Sequence, residues 1–312
     1  MMADCLPPSV RPPSGAFPRR TALRTARPDH VVPLAGRYQL IEPLGRGATA
    51  MVWRAHDDVL DRDVAVKQFD ERHGHGPVEA RLAARVRHPH VAAVHDFVQH
   101  EGSSWLVMDY RGSTTLAALL RDRRGLPPSV VVALGQQLLA ALRAVHAAGV
   151  VHCDVKPANL LLDDDDGRLA LIDFGIADTV GGEPVHPARC KGDLVGSPAY
   201  MAPELVRGDA PRPAADLWSL GATLYAAVEG RLPFDHRDAV PTLAAVLHDP
   251  PASAVQAGRL QPLLARLLVK DPLRRPGHDD VEAMFADAYP TRPAPRQAER
   301  RGVTFYPPLR SV

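Results

Sequence analysis

The sequence contains little cysteine, which narrows the kinds of site it can build. Only three of its 312 residues are cysteines, Cys5, Cys153 and Cys190, and no two of them form a CxxC pair. Structural zinc sites and disulfide frameworks need paired or closely spaced cysteines, so we expect neither. This cysteine content is typical of proteins in a reducing compartment.

The sequence also lacks an excess of charge of either sign. Lysine and arginine total 37, and aspartate and glutamate total 36. Such a balance creates no overall field that would attract nucleic acid or an anionic membrane, and we expect no nucleic-acid partner.

Long uninterrupted hydrophobic runs are missing as well. The most continuous apolar stretch, Val130 to Val151, is interrupted by four polar residues, Gln136, Gln137, Arg143 and His146. It predicts a buried helix and no membrane span, because a span needs about 20 nearly uncharged residues. Prolines interrupt residues 1–33, which argues against a secretory leader, and we expect a cytoplasmic protein.

Proline is abundant at both ends, and this defines the expected domain organisation. Residues 1–36 and 290–312 are rich in proline and arginine without periodicity, which predicts disordered tails. We expect one folded domain at 37–289, with an N-terminal lobe at about 37–110 and a C-terminal lobe at about 111–289.

The two lobes differ in their predicted secondary structure. Short apolar runs between turn signals predict strands from Tyr38 to Leu44, Ala50 to Ala55 and Val64 to Phe69. Apolar residues spaced by three or four predict three helices: one between Pro128 and Gly149, one from about Asp216 to Val228, and one from Leu260 to Val269. The expected fold class is α+β.

A glycine-containing turn and a lysine form the first part of a candidate phosphate site. The segment Leu44 to Ala55 places Gly45 and Gly47 between two strands, where backbone N–H groups can approach phosphates closely. Twenty residues after Gly47, strand alternation in VAVK puts Ala65 and Lys67 on one face. A lysine there can reach phosphate oxygens.

The second part of the candidate site is the segment Val151 to Leu162, VHCDVKPANLLL. Phosphoryl transfer needs a carboxylate to accept the hydroxyl proton, a cation for the migrating charge and an oxygen ligand for Mg²⁺. Asp154, Lys156 and Asn159 supply these within six residues. Asp173, in the segment LIDFG, offers a second metal ligand at a strand end.

These segments, in this order, resemble the eukaryotic-like (Hanks-type) bacterial serine/threonine protein kinases from about Arg37 to about Ala288. The family's glycine loop, VAIK lysine, catalytic loop, DFG and APE motifs are all represented, the last by Ala202-Pro203-Glu204. The resemblance implies a bilobal protein kinase fold, with a small antiparallel β-rich N-lobe containing one helix and a larger, mainly helical C-lobe. It implies ATP and Mg²⁺ as cofactors, with Mn²⁺ as an alternative metal, and a protein as substrate.

The resemblance also assigns roles to individual residues. Asp154 and Lys156 would be catalytic, Asn159 and Asp173 would hold the metal, and Glu79 would pair with Lys67. Asp216 would brace the catalytic loop and Arg275 would pair with Glu204. Nucleotide contacts would come from Lys67 and Glu79, from Met108, Asp109 and Tyr110 in an adenine hinge that extends to Arg111, and from Leu44, Gly45, Arg46, Gly47, Val52, Ala65 and Leu161.

The sequence departs from the family pattern at several positions. Cys153 stands where the family usually has the arginine that binds an activation-loop phosphate, so the chain resembles the non-RD variants of the family. Ala50 stands at the position of the third glycine of the loop. Between Ile176 and Pro203 the only serine or threonine residues are Thr179 and Ser197. We therefore expect no dependence on activation-loop phosphorylation.

The connection before the N-lobe helix is also short. Eleven residues separate Lys67 from Glu79, and Gly74, Gly76 and Pro77 immediately precede Glu79. Proline favours a first helical turn, so Glu79 is expected near the start of a shortened helix, with a mobile ion pair to Lys67. Control by a regulatory protein or by homodimerisation, and autophosphorylation, are compatible with this pattern.

Several alternatives remain open at this point. A pseudokinase that binds nucleotide without turnover, and a small-molecule phosphotransferase, are the rival functions. Cys153 is a candidate redox sensor or a small neutral substitute. The HGHG run from His73 and the acidic run from Asp163 to Asp166 are read as a flexible loop and a solvated turn in preference to metal sites.

Overall fold

We describe the fold from a computed structural model of the chain. It describes residues 33–46, 50–69, 76–111, 113–121, 123–163, 166–174, 177–179, 197–236 and 238–289. Residues 1–32 and 290–312 of the two tails, Gly47, residues 73–75 of the HGHG run and most of the segment before Ser197 lie outside these ranges, so the predictions made for them stay predictions.

The N-terminal lobe is built on one antiparallel sheet. Its strands are β1 (Tyr38–Arg46), β2 (Ala50–Asp57), β3 (Arg62–Phe69), β4 (Val94–His100) and β5 (Ser103–Asp109), in the spatial order β1-β2-β3-β5-β4. Val64 and Val66 of β3 pack on Ala55 and Trp105 on one face, which leaves Ala65 and Lys67 on the other. One helix, α1 (Gly76–Ala83), packs beside the sheet.

The C-terminal lobe is mainly helical. Its helices are α2 (Leu116–Leu120), α3 (Pro128–Ala147), α4 (Pro203–Val206), α5 (Pro213–Glu229), α6 (Ala239–His248), α7 (Gln261–Leu267) and α8 (His278–Ala288). Short strands β6 (Ser113–Thr115), β8 (Leu160–Asp163) and β9 (Leu169–Leu171) form a three-stranded sheet in the order β6-β8-β9, and β7 (Val150–Val151) pairs with β10 (Asp178–Thr179). This architecture confirms the predicted fold class.

The predicted helices agree with the structure apart from their bounds. Pro128 and Pro213 occupy first-turn positions of α3 and α5, which proline favours, so α5 begins three residues before Asp216. Gly230 ends α5 in the left-handed conformation. The helix predicted from Leu260 to Val269 is shorter, because a 3-10 turn at Gly258–Leu260 precedes α7 and the helix ends at Leu267.

Helix α3 runs through the core of the C-terminal lobe. By length and composition alone this 20-residue helix could cross a membrane, but 56% of its most apolar window is buried inside the protein. Leu138, Leu142 and Val145 belong to the large core cluster, together with Leu220 and Leu224 of α5 and Phe285 of α8. The end of α3 leads directly through β7 into the candidate catalytic loop.

Candidate active site

A group of three charged side chains, two of them buried, joins the two lobes. The ammonium of Lys67 donates hydrogen bonds to both carboxylate oxygens of Glu79, at 2.7 and 2.9 Å, and to Asp173 Oδ1 at 2.8 Å. Lys67 and Glu79 are almost fully buried, whereas the side chain of Asp173 is 39% exposed. The Lys67–Glu79 pair, which the sequence predicts to be mobile, is therefore closed in this structure.

The pKa values of this group follow from burial and from the excess of negative charge. Burial would lower the pKa of Lys67, but the attraction of Asp173 and Glu79 is stronger and raises that pKa. Burial also raises the pKa of Glu79, to about 7, and Lys67 only partly offsets this. One ammonium thus serves two carboxylates.

The catalytic loop brings Asp154, Lys156 and Asn159 together as predicted from their spacing. Lys156 Nζ donates to Asp154 Oδ2 at 2.7 Å, and Asn159 Nδ2 donates to the same oxygen at 2.9 Å. A 3-10 turn, Pro157–Asn159, returns the chain so that the Asn159 amide also reaches the Asp154 backbone carbonyl at 2.9 Å. Burial raises the pKa of Asp154, and the charge of Lys156 opposes that rise. A carboxylate with a raised pKa is suited to accept a proton.

The Asp216 side chain fixes the start of this loop through hydrogen bonds to its backbone. Its two carboxylate oxygens accept the backbone N–H groups of His152 and Cys153, both at 2.8 Å, and His146 Nε2 lies 2.8 Å from Asp216 Oδ2. Burial acts to raise the pKa of Asp216, but the hydrogen bond and charge of His146 and the contacts with His152 together outweigh burial, so the pKa is lowered. The brace predicted for Asp216 is therefore present as an ionised, fully buried carboxylate.

Two site residues other than glycine have positive φ angles, which indicates stored backbone strain. Cys153 has φ 64° and Asp173 has φ 68°. Cys153 is buried, with its thiol 3.6 Å from the carbonyl oxygen of Val151, and Asp173 follows β9 at the mouth of the cleft. The surrounding hydrogen bonds, including that from the Ile172 N–H to the Asn159 carbonyl oxygen at 3.0 Å, hold both turns in place.

Most of the predicted nucleotide contacts lie on strands of the N-terminal sheet. In the sheet register Val52 is opposite Lys67 and Ala65 is opposite Met108, and Gly45 of β1 is opposite Val52. Leu44 and Arg46 flank Gly45 on β1, and Leu161 lies on β8 in the other lobe. Met108 also lines a small cavity with Glu79, Asp173 and Phe174.

The hinge residues differ in how their side chains are used. The Asp109 carboxylate accepts the Ala93 N–H at 3.2 Å and lies 2.8 Å from His95 Nε2, so its side chain ties the hinge to the β4 segment. Any adenine contact from Asp109 would therefore come from its backbone. The guanidinium of Arg54 lies 5.3 Å from the ring centroid of Tyr110, a cation–π contact.

The structure also shows contacts that sequence reasoning missed. Arg54 lies two residues after Val52 on β2, so strand alternation could have placed it on the nucleotide face. His278 of α8 lies 2.9 Å from His146, which in turn contacts Asp216. No local signal could have found that pair, because 132 residues separate the two histidines.

The second predicted structural pair is also formed. Arg275 donates to both oxygens of Glu204, at 2.7 and 3.1 Å, and its guanidinium also contacts the Ala214 carbonyl and the ring of Trp218. Both partners are buried. Arg275 thereby fixes α4 against the start of α5.

The donor set fits a divalent cation bound together with nucleotide phosphates. Asp173 and Asn159 offer oxygen atoms, which Mg²⁺ prefers, and Asn159 uses its NH₂ group on Asp154 and keeps its carbonyl oxygen for another partner. Within the described ranges, no cluster of three or more His, Cys, Asp or Glu side chains could hold a metal ion alone. A Mg²⁺ held by Asn159 and Asp173 would take its remaining ligands from water and phosphate.

Comparison with known proteins identifies the family. Residues 38–287 match the model of the protein kinase domain. The chain is a member of the protein kinase family. It is 34% identical to the serine/threonine-protein kinase PknA of Mycobacterium tuberculosis over 282 residues, which cover 84% of this chain and 64% of PknA.

Other bacterial members of the kinase family are similar to it as well. PknL of M. tuberculosis is 34% identical over 296 residues, which cover 88% of this chain and 73% of PknL. The serine/threonine-protein kinase PrkC of Bacillus subtilis is 29% identical over 280 residues, covering 86% of this chain and 42% of PrkC. The kinase chain thus spans a little under two thirds of PknA and less than half of PrkC.

Proposed function

We propose that this protein transfers the γ-phosphate of ATP to serine or threonine hydroxyls of proteins. The observation that carries the proposal is that Lys156 and Asn159 both donate hydrogen bonds to one carboxylate oxygen of Asp154. In the other lobe, Lys67 is held by Glu79 and contacts Asp173. Family membership and the printed names of the similar bacterial kinases support it.

Each step of the reaction has a residue suited to it. Asp154 orients the acceptor hydroxyl and takes its proton as the new bond from hydroxyl oxygen to the γ-phosphorus forms. The bond from that phosphorus to the bridging oxygen breaks, and ADP leaves with the electron pair. Lys156 neutralises charge on the migrating phosphoryl group, and Lys67 positions the α- and β-phosphates.

Asn159 and Asp173 would hold the Mg²⁺, with Mn²⁺ as a substitute. When bound, the metal would neutralise negative charge on the phosphates. Lys67 contributes to the same task, because it contacts Asp173 and fixes the carboxylate where the phosphates enter. A protein is the proposed acceptor, either another chain or a second copy of this one.

We further propose that activity does not require activation-loop phosphorylation. Cys153 is uncharged and buried, so it cannot bind a phosphate as an arginine would. Thr179, one of the two candidate hydroxyls, lies in β10 and pairs with Val150. A regulatory protein or homodimerisation would then be the means of control.

The test is transfer of ³²P from ATP to a generic basic protein and to the kinase itself, followed by acid hydrolysis and identification of the labelled amino acid. We expect phosphoserine or phosphothreonine, a requirement for Mg²⁺, and the same rate after phosphatase treatment. Label on an aminoglycoside and not on protein would favour the small-molecule phosphotransferase. A large loss of rate after phosphatase, restored by autophosphorylation at Thr179, would refute the proposed regulation.

A further inference from the structure

Phe69 lies at a position where it can influence the catalytic ion pair. It is two residues after Lys67 on β3, so both side chains are on the same face of the strand. The Lys67 ammonium is 5.2 Å from the centroid of the Phe69 ring. The ring is buried in a small cluster with Ala80 of α1 and Leu106 of β5.

The same ring sets how closely α1 can approach the sheet. Gly76 is the first residue of α1, and a Cβ built on it would lie 2.8 Å from Phe69 Cδ2 and within 3.2 Å of two more ring carbons. Real Cβ atoms do not occur at such distances, so the contact accepts only glycine unless the ring or the helix moves.

Helical spacing relates this contact to Glu79. Gly76, Ala80 and Ala83 recur at four and three residues and are buried, so α1 packs on the sheet through small side chains. Glu79 is three residues after Gly76, less than one turn away. Any movement of the first turn of α1 therefore moves the Glu79 carboxylate relative to Lys67.

We propose that Phe69 and Gly76 are positioning residues that keep Glu79 on Lys67. The close contact fixes the distance between the first turn of α1 and the sheet. Residues 70–75 connect β3 to this helix. The contact explains how a helix of eight residues holds a buried ion pair, although Cys153, unlike an arginine at that position, cannot bind an activation-loop phosphate. The consequence for phosphoryl transfer rests on the proposed function, whereas the positional claim does not.

The test compares three variants of the full chain. Gly76→Ala introduces the methyl group that the Phe69 ring excludes. Phe69→Leu combined with Gly76→Ala removes the ring and makes room for that methyl group. Gly277→Ala is the matched control, because Gly277 is the N-cap residue of α8, yet a Cβ there meets only Asp280 Oδ2 at 3.8 Å.

Two readouts are needed, and one of them does not depend on activity. Hydrogen exchange of the α1 amides reports how firmly the helix is held. We expect faster exchange in α1 for Gly76→Ala, recovery in the double variant, and no change for Gly277→Ala. In parallel, kcat/KM for ATP should fall about tenfold for Gly76→Ala, as when one charged contact is weakened in the transition state, and recover in the double variant.

Each other outcome has a definite meaning. If Gly76→Ala exchanges as slowly as the wild type, or if the double variant exchanges as fast as the single one, the proposal is wrong. Should Gly76→Ala fail to fold, the double variant must restore folding, and its failure overturns the claim. A wild type that transfers no phosphate but shows the expected exchange pattern would refute the proposed function and leave the positioning contact intact.

Discussion

At the scale of single residues, the backbone of Gly125 lies so close to the end of α5 that no side chain fits at this position. Its φ is 104°, and a Cβ there would lie 2.2 Å from the Val228 carbonyl oxygen at the end of α5. The neighbouring N–H of Leu126 donates to the Ala227 carbonyl oxygen at 2.7 Å. The loop before α3 is thus joined to the end of α5 backbone to backbone.

We therefore predict that Gly125→Ala is strongly destabilising. Gly208→Ala is the control, since Gly208 also has positive φ (85°) but has open space where its Cβ would be. The control should lose about 1 kcal/mol from backbone strain alone. Gly125→Ala should lose roughly 2 to 4 kcal/mol, because overpacking is added to strain. Urea unfolding measures both, and equal losses would show that the close contact can relax.

The site residues also show what can be inferred from one sequence at this scale. Asp154, Lys156 and Asn159 lie within six residues, so their chemistry could be inferred from local spacing. The contact between Lys67 and Asp173 joins residues 106 positions apart, and only the resemblance to a family could suggest it. The Phe69–Gly76 contact depends on interatomic distances, which no sequence pattern encodes.

At the scale of secondary-structure elements, Lys270 links the end of α6 to the core. Its ammonium donates to the carbonyl oxygens of Ala245 and Val246, at 3.1 and 2.5 Å, and lies 4.0 Å from the ring centroid of Phe234. A cation suits the negative end of a helix dipole. Burial nevertheless lowers the pKa of Lys270 to about 8, and Asp249 opposes this only partly.

This lowered pKa predicts how stability changes with pH. The unfolded chain holds the Lys270 proton up to a pKa near 10.5, whereas the folded chain releases it near 8. Between these values the unfolded state binds more protons, so this group makes the folded state more stable as pH rises. We expect the free energy of unfolding of the wild type, relative to Lys270→Met, to increase from pH 8 to pH 10. A flat difference would show that Lys270 keeps its ordinary pKa, and a falling difference would show that folding raises that pKa; either result contradicts the prediction.

The bounds of the elements were predictable where proline and glycine mark them. Pro128 and Pro213 open α3 and α5, and Gly230 closes α5. The helix predicted from Leu260 to Val269 differs at both ends, because a 3-10 turn at Gly258–Leu260 precedes α7 and the helix ends at Leu267. How α1 packs on the sheet was not predictable, since it depends on the ring of Phe69.

At the scale of the whole molecule, the protein places charge at the junction of its two lobes. The N-terminal sheet carries Lys67, the C-terminal lobe carries Asp154, Asn159 and Asp173, and the Lys67–Asp173 contact spans the two. In the helical lobe, Asp216 binds the backbone of the catalytic loop, and the Glu204–Arg275 pair joins α4 to the start of α5. The order of the motifs along the chain, and their resemblance to those of protein kinases, predicted that these groups would share one site.

The most direct test of the account is to compare Asp154→Asn with the wild type, using Asp287→Asn on the exposed face of α8 as the control. We predict that all three proteins bind Mg²⁺·ATP, measured as the rise in unfolding temperature. Phosphate transfer should fall at least about 100-fold in Asp154→Asn, as expected on loss of a general base, and stay unchanged in Asp287→Asn. Undiminished transfer by Asp154→Asn would contradict the assignment of the base. A wild type that binds ATP and transfers nothing would make the protein a nucleotide-binding pseudokinase.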